Sequence, residues 1–107
     1  MLTDGFYSVK FQTPGGAGGG IVVLAGGNLR GGDSAILYSG TYTQNGDDFS
    51  AKVATSRHLL GFPSVFGIDN VNIVLTGKSS ATTATCTGGA AEVPGVALQT
   101  ILTRISD

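Results

Sequence analysis

Charge, histidine, cysteine and tryptophan are all scarce in this chain. Only 12% of its residues are charged, roughly half the average share. The basic residues, Lys10, Arg30, Lys52, Arg57, Lys78 and Arg104, are scattered along the sequence. No cluster of them follows a phosphate backbone and no aromatic residues interleave with them, so direct nucleic-acid binding is not expected. One His, one Cys and one Glu leave little material for a metal centre, since zinc takes about three or four His, Cys or carboxylate ligands. Asn45, Asp47 and Asp48 resemble a fragment of a calcium loop, but the later Glu that such a loop needs is missing. Acid–base or nucleophilic catalysis requires convergent titratable groups. None is visible, so no catalytic residue, metal or cofactor is expected and the chain reads as non-enzymatic.

The lone Cys86 has no internal disulfide partner. It lies in Ala84-Thr85-Cys86-Thr87 with no adjoining His or Lys, and so reads as core filler rather than as a reactive thiol. His58, between Arg57 and Leu59, reads as a surface or packing histidine. Long apolar runs are also absent: none approaches the roughly 20 residues of a spanning helix. The opening Met1-Leu2-Thr3-Asp4-Gly5 has no basic stretch followed by an apolar one, which predicts no signal peptide. A cytoplasmic protein without a membrane contact is the expectation.

What is abundant is glycine, with 18 residues against an average of about 7%. The glycines fall in pairs and triples without a fixed period, as in a chain that turns often. Hydrophobic residues make up 41% of the 107 positions, enough for one domain over residues 1–107 with its own core.

Period-2 alternation recurs, and a sustained helical period does not. Tyr7, Val9 and Phe11 alternate with Ser8, Lys10 and Gln12 as a first strand. Pro14-Gly15-Gly16-Ala17-Gly18-Gly19-Gly20 breaks it. That segment lacks the Lys-Ser/Thr ending of a phosphate loop, and an apolar strand rather than a helix follows it, so it reads as a flexible hairpin loop. Ile21-Val22-Val23-Leu24 forms a short strand, and Leu29-Arg30 another. Ala35 to Thr43 places Ile36, Tyr38 and Tyr42 on one face, with Gly40 at a bulge or barrel-corner bend. Asn45-Gly46 is a strong hairpin signal, and Phe49, Ala51 and Val53 alternate after it.

Residues 57–67 do not alternate; they read as an irregular or partly helical connection that packs Leu60, Phe62 and Phe66 over a barrel end. Alternation returns at Val71, Ile73 and Leu75. Thr-rich Ala81 to Thr87 suits a strand; Gly88-Gly89 to Pro94-Gly95 reads as a loop. In the last strand Leu98, Thr100 and Leu102 share one face, and Ile101, Thr103 and Ile105 the other. A faint internal echo relates Tyr38-Ser39-Gly40 and its hairpin partner to Leu75-Thr76-Gly77 and its partner. Seven or eight short strands with turns between them indicate a barrel or sandwich. Local connections favour a small antiparallel up-and-down β-barrel of about eight strands, which removes exposed edges.

Taken in order along the chain, several pieces resemble the GrlR family of small bacterial regulators associated with type III secretion. Asp4-Gly5-Phe6-Tyr7-Ser8-Val9-Lys10-Phe11 resembles the family's first strand. Gly20-Ile21-Val22-Val23-Leu24, then Gly31-Gly32-Asp33-Ser34, resemble its second strand and its Gly-Gly-Asp signature. Tyr38-Ser39-Gly40-Thr41-Tyr42, Phe62-Pro63-Ser64-Val65 and Leu102-Thr103-Arg104 match later stretches. The resemblance implies a lipocalin-like barrel that dimerises, has an apolar interior and restrains a transcriptional activator through an acidic hairpin. Here the matching hairpin reads Asn45-Gly46-Asp47-Asp48, with two acids where the family has four.

Read from its residues alone, Gly31-Gly32-Asp33 is a structural turn: Gly supplies positive φ and Asp33 bonds backbone amides two residues on. Three roles follow. The first is a regulatory, GrlR-like binding protein, a negative regulator that contacts a transcriptional regulator through Asp47 and Asp48. The second is a carrier of a small apolar ligand inside the barrel. The third is an oligomer: aliphatic residues on both faces of the last strand, Leu98, Ile101, Leu102 and Ile105, point to a homodimer interface.

Overall fold

A computed structural model describes residues 1–61 and 63–107. Its strands are β1 (Gly5–Thr13), β2 (Gly16–Ala25), β3 (Asn28–Gly32), β4 (Ile36–Asn45), β5 (Asp48–Arg57), β6 (Asn72–Ser79), β7 (Thr83–Ala90) and β8 (Leu98–Ser106). Each pairs antiparallel with the next, and β8 returns to pair with β1. The eight strands therefore form a closed barrel in chain order, the architecture that the alternation and the turns predict. Among the described residues no helix is long and apolar enough to cross a membrane.

The period-2 pattern sets which side chains fill the barrel. Tyr7 and Val9 of β1, Phe49, Ala51 and Val53 of β5, and Leu98, Thr100 and Leu102 of β8 all point inward. Their neighbours Phe6, Lys10, Lys52 and Ile101 point outward. Closure leaves no unpaired sheet edge.

Up-and-down connections place the two sets of loops at opposite ends. One end carries the β1–β2 turn, the β3–β4 turn, the connection over 58–71 and the β7–β8 loop. The other carries the Gly26-Gly27 and Gly46-Asp47 turns, the β6–β7 turn and both chain ends. That second end is stoppered. Leu2 is buried, its amide donates to Gln44 Oε1 at 2.7 Å, and Gln44 Nε2 donates to the Leu2 carbonyl at 2.9 Å. Arg104 holds the same segment, donating to Thr3 Oγ1 at 2.6 Å and to the Asp4 carbonyl at 3.0 Å, with its guanidinium 5.8 Å from the centre of the Tyr7 ring.

Several local expectations are corrected. Gly16 to Gly20 is not a flexible loop: it is the first half of β2, paired in register with Thr13 to Val9. Only Pro14 and Gly15 turn. A run without side chains shows no alternation, although its backbone completes a ladder. Gly88 and Gly89 likewise belong to β7, opposite Leu75 and Val74. The connection after β5 is longer than expected and has no helix among its described residues. Leu60 is 92% exposed and does not pack on the barrel; Val65 and Phe66 do. Phe62 lies outside the described residues.

Gly31 and Gly32 are strand residues without positive φ. Their value lies in close approach. A Cβ on Gly31 would stand 2.0 Å from the Ile21 carbonyl oxygen, so only Gly lets β3 sit this near β2. Gly40 and Gly77, the two halves of the internal echo, share one local geometry. A Cβ on Gly40 would lie 1.9 Å from the Lys52 carbonyl oxygen, and on Gly77 2.0 Å from that of Thr85.

A candidate ligand-binding lumen

The inward side chains fill the stoppered end but not the other. Tyr7, Leu24 and Phe49 are almost completely buried, and Phe49 stacks on Tyr42 with ring centres 5.7 Å apart. Towards the opposite end the lumen opens into a cavity of about 270 Å³. Its wall is aliphatic and aromatic, drawn from Val9, Val22, Leu29, Val53, Leu75 and Leu102 among others.

β2 contributes little side-chain volume to this wall. Ala17, Gly18 and Gly19 border the cavity with almost no side chain, Gly18 on the inward face opposite Phe11. The Phe11 ring occupies the room above Gly18, where a Cβ would lie 2.7 Å from its edge. Phe11 in turn meets Tyr38 edge to face, with ring centres 5.9 Å apart and planes at 86°. The connection over 58–71 lies across the mouth as a lid. Val65 and Phe66 pack on the core, and the Val65 carbonyl accepts a 2.7 Å hydrogen bond from Thr13 Oγ1. At the lid's far end Thr55 Oγ1 donates to the Asp69 carbonyl at 2.6 Å, and Arg57 pairs with the Asp69 carboxylate at 2.8 Å.

Asp33 sits at the rim. Its carboxylate accepts from the Ala35 amide at 2.8 Å, from the Ile36 amide at 2.7 Å and from the Tyr38 hydroxyl. Partial burial works against its charge, but the bonds from Tyr38, Ala35 and Ile36 outweigh that and hold the carboxyl below its ordinary range. Burial and the adjoining Asp33 together push the Tyr38 hydroxyl well above its ordinary value. Asp33 therefore closes the β3–β4 turn, as expected, and it also fixes Tyr38 in the lumen wall. His58 reaches the backbone carbonyl of Asp33 at 3.0 Å, not its carboxylate, so the two do not form an acid–base pair. Burial pushes the Cys86 thiol up to about 11, which keeps it protonated. Among the described residues no three His, Cys, Asp or Glu side chains gather to hold a metal.

The other candidate residues lie elsewhere. Asp47 and Asp48 are exposed at the β4–β5 tip, at the end opposite the cavity mouth, and Asp48 is ion-paired with Lys78. On β8, Leu98 and Leu102 point into the lumen while Ile101 and Ile105 point out, 45% and 52% exposed. The four therefore do not form one surface. Thr100 was legible as sharing a face with Leu98 and Leu102; its place in the cavity wall was not, because an unfilled volume leaves no mark in a sequence. No protein-family model matches the chain, and no curated protein matches it.

Proposed function

We propose that the protein is a non-enzymatic binding protein whose barrel lumen takes a small, mainly apolar molecule. The observation that carries this reading is a cavity of about 270 Å³ under a lid, walled by aliphatic and aromatic side chains. An apolar cavity of about 150 Å³ stays dry and holds benzene, so a larger one is ample for a ligand. The wall does not suit water, which needs about two to four polar partners. The GrlR-like resemblance supports the same architecture, a lipocalin-like barrel with an apolar interior. Methyl NMR during titration with toluene tests it. Saturable shifts at Val9, Val53 and Leu75 are expected, and unmoved lumen methyls at saturating toluene would sink the reading.

A homodimer is part of the proposal, and the outer face of β8 supports it. Ile105 stands at the β-bulge beside Phe6 of β1, Ile101 lies opposite Lys10, and Ile21 of β2 lies opposite Ser8. All four are large, apolar and exposed on the outer face of three adjoining strands, and Phe6 with Ile105 supplies the apolar contact from which an interaction surface can be built. Sedimentation is expected to give a dimer that Ile101→Lys/Ile105→Lys converts to monomer; a wild-type monomer at high concentration removes this part. Regulation by contact with a transcriptional regulator is the second reading, favoured by the exposed Asp47-Asp48 tip. Loss of partner capture in Asp47→Ala/Asp48→Ala is its expected signature.

A further inference from the structure

The polar atoms of the lumen wall are, with one exception, committed within the protein or open to water. Tyr38 donates to Asp33. Thr55 Oγ1 donates to the Asp69 carbonyl and accepts from the Val71 amide at 3.1 Å. Ser64 donates to the Ile68 carbonyl, and Ser34 is exposed. Thr100 is the exception. It lies on the inward face of β8 between Leu98 and Leu102, lines the cavity and is 3% exposed. Its Oγ1 is the one buried side-chain polar atom without a hydrogen-bond partner among the described residues. Native interiors rarely leave such an atom unmet, and a valine fills the same volume without the penalty of a desolvated hydroxyl.

Charge narrows the occupant further. The described wall contains no Lys, Arg or His, and its one carboxylate is Asp33 at the rim. An anionic headgroup drawn inside leaves water, meets no cation and passes a negative charge on the way. Size sets the rest. Scaling from benzene in about 150 Å³ gives room for roughly ten non-hydrogen atoms in this cavity.

We propose that the lumen selects an uncharged molecule of roughly ten non-hydrogen atoms, an alkyl or aryl body bearing one alcohol, aldehyde or ketone oxygen that hydrogen-bonds Thr100 Oγ1 once rotation about the Thr100 Cα–Cβ bond turns this packed, partnerless hydroxyl into the lumen. Carboxylic acids of the same size are excluded as anions. This selectivity rests on the lumen reading above.

The test uses four probes of nearly equal size: ethylbenzene, acetophenone, 2-phenylethanol and phenylacetate. Each is titrated by methyl NMR into wild type, Thr100→Val and Thr100→Ser. Acetophenone and 2-phenylethanol should bind Thr100→Val about three- to tenfold more weakly than wild type, the range of one hydrogen bond. Ethylbenzene should bind both within about twofold, since it has no group for the hydroxyl to meet. Thr100→Ser, which keeps the hydroxyl, should restore the preference. Phenylacetate should bind at least about tenfold more weakly than 2-phenylethanol, as expected for a desolvated anion without a partner.

Equal weakening of ethylbenzene and acetophenone by Thr100→Val would overturn the role of Thr100. So would unchanged binding of both, which is what a hydroxyl satisfied by water alone predicts. Phenylacetate binding as tightly as the neutral probes would overturn the exclusion of acids. Failure of ethylbenzene itself to enter wild type would bring down the lumen reading and this selectivity with it.

Discussion

At the scale of single residues, Asp33 does the most local work. It closes the β3–β4 turn through two amides and holds Tyr38 through a third bond. Replacing it with alanine is expected to cost about 1–2 kcal/mol, the lower part of the range for bonds to a charged group because the carboxyl is partly open to water. The pH dependence has a definite sign. The folded carboxyl lies below its ordinary range, so its contribution is fully present above the unfolded value of about 3.9 and is lost as pH falls through the depressed folded value. Urea unfolding of wild type and Asp33→Ala should thus differ by a constant amount from neutrality to about pH 5 and converge in stronger acid. Gly40 supplies a second case. Alanine there would place Cβ 1.9 Å from the Lys52 carbonyl oxygen, so β4 and β5 have to part. The expected loss is at or above the upper end of the roughly 1–3 kcal/mol usual for overpacking, whereas Gly46→Ala meets nothing within 4 Å and bears only the left-handed strain of its φ of 59°, about 1–2 kcal/mol. Equal midpoints in urea for the two variants would contradict this account.

Elements were legible to the extent that side chains announce them. β1, β4, β5 and β8 alternate plainly, and the residues that share a face were identified from that alternation, but in β8 both faces carry aliphatic residues and the inward one was not legible. The first half of β2 was not legible, because Gly16 to Gly20 carry no pattern beyond one alanine. Pairing with Val9 to Thr13 makes that stretch a strand, and the absent side chains admit Phe11 to the lumen. The same blindness hid the end of β7 at Gly88 and Gly89. The lid was legible only as a break in periodicity; which of its apolar residues face inward depends on seating contacts such as Thr13 to Val65. Among the described residues, backbone hydrogen bonds tie the segment 58–71 at few points, chiefly where the His58 amide donates to the Ala35 carbonyl, the Gly67 amide to the Ser64 carbonyl and the Thr55 amide to the Val71 carbonyl. Lid amides are therefore expected to exchange with deuterium much faster than those of the β4–β5 hairpin. A bound apolar probe should slow the lid and leave the hairpin unchanged; equal protection of both segments in the free protein would show that the lid is as firmly held as the wall.

For the whole molecule, an apolar chain with few charges and frequent turns forms a closed cylinder rather than an open sheet. What composition did not disclose is how that cylinder is divided. Tyr7, Leu24 and Phe49 fill one end while the other stays open, so a solid core and a cavity share one lumen. Closure has a further consequence. β8 lies against β1, with Ser106 opposite Phe6, so head and tail of the polypeptide emerge at the same rim. The order of the strands around the cylinder then matters more than where the chain is cut. Bridging the ends with about six residues, which span roughly 20 Å when extended, and opening new termini between Leu60 and Val65 should give a circular permutant with the same eight-stranded register. Its amide NMR spectrum should overlay that of the parent outside the lid and the new bridge. A permutant that does not fold would mean that the bridge pulls Leu2 away from its two bonds with Gln44.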